Sequence, residues 1–435
     1  MSRARPIADR LRRARRQCLL AAAGLLCCAP LQARPPGAPT AIDYVLKLRS
    51  MPQYQSNPAR LSDADTRRQG SQVLVNSVGA AVRIPLLSHQ TRLDLSGNIG
   101  DARYSDTRQL NHQPRQFTGA LPWRATELFA GRLRYDYSDR LYDYLNRTWP
   151  ERDMETRRRW EAEAGLRITD RLTLPLVSVF GGSSRYDVDA SRTLYNRDES
   201  GWQAGARYTG LDRSWLAAGY RHNEVDYIDR TEAWRLQIDD RYRDDELFVA
   251  GEWDFSPKSV FEARVGWLRR TYAHLSARDT SLLTLDARYA YRHSPKTRLD
   301  VYAWRRPYSN DDSPDVVYSI LTGGRIAMRW QATPKTSAWL SVARETQDDT
   351  RFSGLQTQST IWRYGGRLAW QADRSWRMVF DAYRQREKGS SAASSYAQNI
   401  VRVGLEFRTD NSPSAPEDLF FTSQCDWRHV EYLLC

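Results

Sequence analysis

Between Arg34 and Gln424 the chain contains no cysteine, which excludes disulfides and thiolate metal sites from its body. Cys18, Cys27 and Cys28 belong to the first segment, and Cys425 and Cys435 to the last. Histidine is scarce, with six in 435 residues, and no His or carboxylate cluster has metal-ligand spacing. No metal and no cofactor are expected, and no Gly-rich phosphate loop occurs. After Leu31 no stretch approaches the ~18 uninterrupted apolar residues of a spanning helix, so a helical membrane protein is excluded. Lysine is nearly missing: five Lys against 60 Arg. That ratio reads as a coding bias rather than selection for nucleic-acid contacts, and no nucleic-acid partner is expected.

What is abundant is aromatic: 15 Trp and 23 Tyr in a chain with 27% charged residues and a mean hydropathy of -0.68. Such rings are usually kept for cores and membrane interfaces. A polar chain rich in them suggests an outer-membrane barrel.

The first 33 residues form a basic segment to Arg16, an apolar run from Cys18 to Leu31 and a cleavage site after Ala33, the pattern of a secretory signal peptide. Its removal takes away seven Arg and one Asp and lowers the formal charge from +13 to about +7. Three segments follow: a signal peptide (1–33), a barrel (34–407) and a C-terminal tail (408–435).

Short turn signals punctuate the body: TDRL around Asp170, LDRS around Asp212, SPKS at Pro257, SPKT at Pro295, TPKT at Pro334 and ADRS at Asp373. They lie about 40 residues apart, and weaker signals at Pro85 to Ser88 and Pro122-Trp123 bring the number to about eight. Between them the sequence alternates with period two, the mark of a half-buried strand. Leu247, Val249, Gly251, Trp253 and Phe255 fall on one face, with Phe248, Ala250, Glu252 and Asp254 on the other. Midway between the turns lie longer polar stretches such as NRTWPERDMETR, RRPYSNDDSPD and REKGSSAASSY, which read as loops. Each period is strand, long loop, strand, short turn.

This asymmetry predicts an all-β fold: a transmembrane antiparallel β-barrel of about 16 to 18 strands with short periplasmic turns and longer extracellular loops. The range reflects TEAWRLQIDDRYR, from Thr231, which reads as an added alternating piece above the membrane. A β-propeller also repeats every ~40 residues, but fits four short strands into each period. Here each period offers two strands long enough to cross a bilayer.

Parity assigns side chains to surfaces. Trp253, Tyr291 and Trp330, each four residues before a turn proline, together with Trp370 and Phe407, fall on the apolar face as membrane-interface aromatics, and outer-membrane lipid is an expected partner. The opposite parity supplies the candidate lumen lining: Glu252, Glu262, Arg264, Asp286, Arg288, Arg325, Arg329, Arg363, Arg367, Arg377, Asp381, Arg402 and Glu406. Taken singly, each is expected to pair across strands; taken together, their excess arginine would draw anionic or hydroxyl-rich solutes. Tyr302 and Trp304 suit a sugar-stacking track, although the parity of their strand is ambiguous. No catalytic residue is expected: His274-Leu275-Ser276, read as one strand face near an outer end, is the best hydrolase candidate and a weak one.

The block IDDRYRDDELFVAGEWDFSPKS, VGWLRRTYAHLSARDTSLLTLDARYAYRHSPKT and MRWQATPKT resembles the EpsL-like outer-membrane proteins that accompany exopolysaccharide gene clusters and exosortase systems. The likeness lies in the order of pieces, from RYRDDE through RRTY and RD to the Lys-Ser and Lys-Thr turns, and is clearest from Ile238 to Phe407. It implies a barrel taking part in exopolysaccharide biosynthesis and secretion, with the polysaccharide chain and periplasmic or inner-membrane export machinery as partners. The alternatives are a general diffusion porin for small solutes and a barrel hydrolase. A porin predicts an inward-folded constriction loop, polymer recognition a row of inward rings, and a hydrolase a His-centred constellation.

Overall fold

Period-two patterning builds eighteen strands. A computed structural model describes residues 42–88, 91–142, 151–210, 214–308, 314–389 and 395–411. The segment read as a signal peptide, the turn expected around Asp212 and both C-terminal cysteines lie outside the described residues. The first nine strands are β1 (Asp43–Gln55), β2 (Ser71–Ser88), β3 (Thr91–Tyr104), β4 (Arg115–Arg124), β5 (Phe129–Leu141), β6 (Met154–Arg167), β7 (Leu172–Tyr186), β8 (Arg197–Thr209) and β9 (Trp215–Tyr227). The second nine are β10 (Arg241–Ser256), β11 (Ser259–Tyr272), β12 (Thr280–Ser294), β13 (Thr297–Tyr308), β14 (Val316–Gln331), β15 (Thr336–Arg351), β16 (Gln356–Gln371), β17 (Trp376–Lys388) and β18 (Tyr396–Asp410).

Every strand pairs antiparallel with its neighbours in sequence, and β1 pairs with β18 as well as β2. The sheet is a closed 18-stranded barrel, the one β architecture that leaves no backbone edge to lipid. Residues Asp43 to Asp410 carry it, so β18 runs three residues past Phe407.

At one end, eight short turns join even strands to odd ones, and local chemistry explains their repeated letters. In the three Pro-Lys turns the hydroxyl before the proline accepts the lysine amide: Ser256 from Lys258 at 3.2 Å, Ser294 from Lys296 at 3.3 Å and Thr333 from Lys335 at 3.2 Å. Asp373 does the same in the ADRS turn, accepting from Ser375 and Trp376 at 2.7 and 2.9 Å. Those two amides hold its carboxyl below the usual carboxylate range. The turns spend their polar residues on themselves.

Three sequence readings differ from the structure. Pro85 lies within β2 and Pro122-Trp123 within β4, so neither marks a turn; the latter turn follows at 125–128. The chain from Thr231 is not an alternating strand piece: Glu232–Ile238 forms helix α2, following α1 at Asp189–Tyr195. Burial follows a helical period, with Trp234 half-buried, Leu236 exposed and Ile238 buried, and Asp239 at φ 66° ends the helix. His274 and Ser276 share no strand face, because β11 ends at Tyr272 and Ser276 opens a 3-10 turn.

Candidate functional site: the barrel lumen

The two surfaces of the wall separate cleanly. One parity carries Leu247, Val249, Trp253, Val342, Trp362 and Leu405, all exposed as a lipid-facing surface should be. The other carries contacts that bridge strands not hydrogen-bonded to each other, which only a concave face permits. Trp304 of β13 donates its indole N–H to Glu345 of β15 at 3.0 Å, and Arg264 of β11 donates to Gln203 of β8 at 3.1 Å. An apolar outside around a polar inside, closed without an edge, is the arrangement of an outer-membrane β-barrel.

All thirteen charged candidates have the concave parity, and the structure brings them together as two groups. The denser group spans β15 to β18 and β1. Asp381 accepts from Arg367 at 2.7 Å and is also paired with Arg402, whose guanidinium donates to the Tyr383 hydroxyl at 2.5 Å. Arg363, fully buried, lies 3.3 Å from Glu345 and donates to Gln385 at 3.3 Å. Glu406 is ringed by Arg49 at 2.8 Å, Lys47 at 3.7 Å and Arg377 at 3.9 Å.

A looser group spans β10 to β14. Arg264 meets Glu246 at 2.6 Å, and Arg288 lies between Asp300 at 3.1 Å and Glu262 at 3.9 Å. Arg325 donates to Ser341 at 2.9 Å, while Arg329 lies over the Trp339 ring at 5.2 Å. Glu252 and Asp286 share this face, with Asp286 directly opposite Arg264 on β11. The parity of β13 is settled: Tyr302 and Trp304 both point inward, and Trp304 is 3% exposed. Its ring covers Gly323 so closely that an added Cβ would lie 2.1 Å from the indole, so that position requires glycine.

The five interface aromatics have the convex parity at the short-turn end. Trp253, Trp330 and Trp370 are exposed, Trp253 stacking on Phe255 at 4.8 Å and Phe407 meeting Trp376 at 5.0 Å. Tyr291 stacks on Tyr289 at 6.4 Å.

Sequence reading missed the loop between β1 and β2, residues 56–70, which folds onto the concave side of the mouth. Its polar residues hold β18: Asp63 N–H donates to Ser395 O at 2.8 Å, Arg68 to Ala397 O at 3.0 Å and Arg60 to the inward Gln398 side chain at 3.2 Å. Its apolar residues Ala59 and Leu61 pack on Val73, Ala102, Tyr104 and Leu110. The loop therefore lies across the inside of four adjacent strands, β18 to β3. No strand periodicity signals it.

Inward rings cluster at the same end, but as loop cores. Tyr142, Tyr186 and Tyr195 pack together beside α1, and Tyr227, Tyr242 and Tyr272 form a second set. Near the second set Asp239 accepts N–H groups from His274, Leu275 and Asp240 and lies 2.9 Å from the His274 ring. Burial raises its carboxyl, but the His274 side chain and those amides outweigh burial and hold it below its ordinary value. Asp239, Asp240 and His274 are close enough to share a metal ion, but these hydrogen bonds already account for the approach of Asp239 and His274.

No family model matches the chain, and no curated protein does. Among solved structures it is similar to Pseudomonas aeruginosa OccK2 (OpdF), with 12% identity, a TM-score of 0.48, and 85% of this chain and 98% of that one covered. Acinetobacter baumannii OccAB3 gives 10% identity and 0.47 over 85% and 99%. A mutant of the P. aeruginosa ferric enterobactin receptor PfeA gives 9% and 0.45 over 86% and 81%. At such identities and overlaps, no solute, partner or activity transfers to this chain.

Proposed function

We propose that the protein is a passive outer-membrane pore for small polar solutes with a preference for anions. The observation that carries this reading is the loop of residues 56–70, which packs on the inward side chains Val73, Ala102, Tyr104 and Gln398, the placement a constriction loop would take. The preference follows from charge: the thirteen lumen candidates comprise eight Arg and five carboxylates. In planar bilayers, reversal potentials of the refolded chain in a salt gradient should show anion selectivity, and excising residues 58–67 should raise single-channel conductance. Cation selectivity together with a conductance indifferent to the excision would sink the proposal.

The second reading, a role in exopolysaccharide biosynthesis and secretion with export machinery as partner, is supported by the resemblance over Ile238 to Phe407. Against it, the sugar-stacking candidates are already engaged, Trp304 buried and bonded to Glu345 and Tyr302 beside Arg288 and Arg325, while Tyr186, Tyr195, Tyr227 and Tyr242 are buried in loop cores. Deletion of the gene separates the two. Unchanged secreted polysaccharide with altered small-solute uptake favours the pore, and the reverse favours export.

A further inference from the structure

Many arginines on this barrel pair with a carboxylate, and one cluster of cations on the outer face does not. On the convex face of β15 to β17, Arg344, Arg384, Arg386 and Lys388 form a cluster without an ion pair to any described residue. Strand register sets them together: Arg344 opposes Trp362, Trp362 opposes Arg386, Tyr364 opposes Arg384 and Thr360 opposes Lys388. All four cations are exposed, as are Trp362 and Tyr364 between them. Arg344 lies over the Trp362 ring at 5.6 Å. The nearest acid of the same parity, Asp348, lies four residues beyond Arg344 and accepts from Gln358 at 2.6 Å.

The patch sits where lipid headgroups begin. Along β17 the convex residues run Trp376, Met378, Phe380 and Ala382 from the short-turn end, then Arg384, Arg386 and Lys388 at the long-loop end. Long loops face the cell exterior in such barrels, so these cations lie at the outer-leaflet margin of the apolar belt. Unpaired guanidinia there need anions from outside the protein, and Arg presents a planar fork suited to phosphate.

The same level on β9 and β10 carries a different surface. Above the Trp202 and Tyr220 rings, Arg241 is paired with Asp226, and His222 lies 2.7 Å from Asp245, with Arg243 3.5 Å from the same carboxylate. That face is self-compensated.

We propose that the Arg344, Arg384, Arg386 and Lys388 patch is a binding site for the phosphate-bearing headgroup of an outer-leaflet glycolipid, with Trp362 and Tyr364 at the acyl boundary. The headgroup phosphates would lie among the three guanidinia and the ammonium while the chains run down the Trp362, Tyr364 and Phe380 surface. The proposal does not depend on what the lumen carries.

The test uses the full chain refolded in micelles and a diphosphorylated glycolipid, lipid A, followed by native mass spectrometry. Wild type should retain lipid A and release the dephosphorylated form. Combined R344Q, R384Q, R386Q and K388Q should weaken retention at least about tenfold, since each basic residue contributes separately to headgroup attraction. R241Q with R243Q should leave retention unchanged. Equal retention of the dephosphorylated lipid, or an effect shared by both sets of variants, overturns the proposal. So does complete competition by millimolar inorganic pyrophosphate, because the site would then read free phosphate rather than a lipid.

Discussion

Strand β17 has alternate side chains in two electrostatic settings. Facing inward are Asp381, Tyr383, Gln385 and Glu387, all buried. Facing outward at the long-loop end are Arg384, Arg386 and Lys388, all exposed. Inside, each charge at the level of Asp381 has a counter-charge on the next strand, because a buried charge without a partner is costly. Outside, the same strand offers cations to a medium that supplies its own anions. A barrel wall one residue thick thus separates charges paired within the protein from a surface whose cations require an outside partner.

If that contrast is sound, the largest effect comes from breaking the interior. Asp381→Ala leaves Arg367 and Arg402 facing each other without their shared carboxylate, and removing one member of a buried network costs about 3 to 5 kcal/mol. Urea unfolding of the refolded protein in lipid should show that loss. A change no larger than that of an outward arginine would erase the distinction between the two faces.

A smaller effect is expected at Trp304→Phe. The ring stacked over Gly323 is kept, but the hydrogen bond from the indole to Glu345 is lost, at about 2 kcal/mol for a bond to a charged acceptor. The same unfolding assay reads it. Trp304→Phe as costly as Asp381→Ala would mean that ring packing, rather than charge pairing, organises the interior.

On the outer face, Arg384→Gln with Arg386→Gln should change stability by no more than about 0.5 kcal/mol, as exposed substitutions do. The two arginines have no protein partner to strand, so a larger loss in lipid-free detergent would reveal interior contacts that the register does not provide.

Much of this contrast was legible in the sequence, because a strand has only two faces and the apolar residues label one of them. Once Leu368 and Trp370 mark the outside, Arg363 and Arg367 must lie inside, and counting turns between such strands gives about 16 to 18. Which inner charges meet was not legible: Arg402 reaches Asp381 through a register that periodicity does not specify. Arg49 and Lys47 at Glu406 depend on closure of β1 on β18, the longest-range pairing in the chain. Glu345 and Glu246 have the inward parity, but nothing in the period-two pattern singles them out as partners of Trp304 and Arg264. Helix α2 was misread because Trp234, Leu236 and Ile238 also alternate, and only burial shows that Leu236 points away.

The loop of residues 56–70 was invisible for a related reason: it is held by tertiary hydrogen bonds, not by a pattern. It contains the smallest effect expected. Asp65 accepts from Arg67 through Nε at 3.1 Å, through the terminal nitrogen at 2.7 Å and through the backbone N–H at 2.8 Å. The guanidinium and then the backbone amide hold its carboxyl at about 2, against an ordinary 3.8. Because the folded value is depressed, the pair contributes to loop order fully above about pH 4, and the contribution disappears as pH falls through about 2. Between pH 7 and 5 nothing should change. Unlike Asp381, this carboxylate is partly exposed and its partner is two residues away, so water replaces what Arg67 gives up. A carboxyl-carbon NMR titration of the refolded chain should place the Asp65 midpoint near 2, and Arg67→Ala should return it toward 4. A wild-type midpoint already near 4 would mean that the loop is held by its contacts with β18 and β3 alone, and that compensated charge on this barrel is confined to the wall.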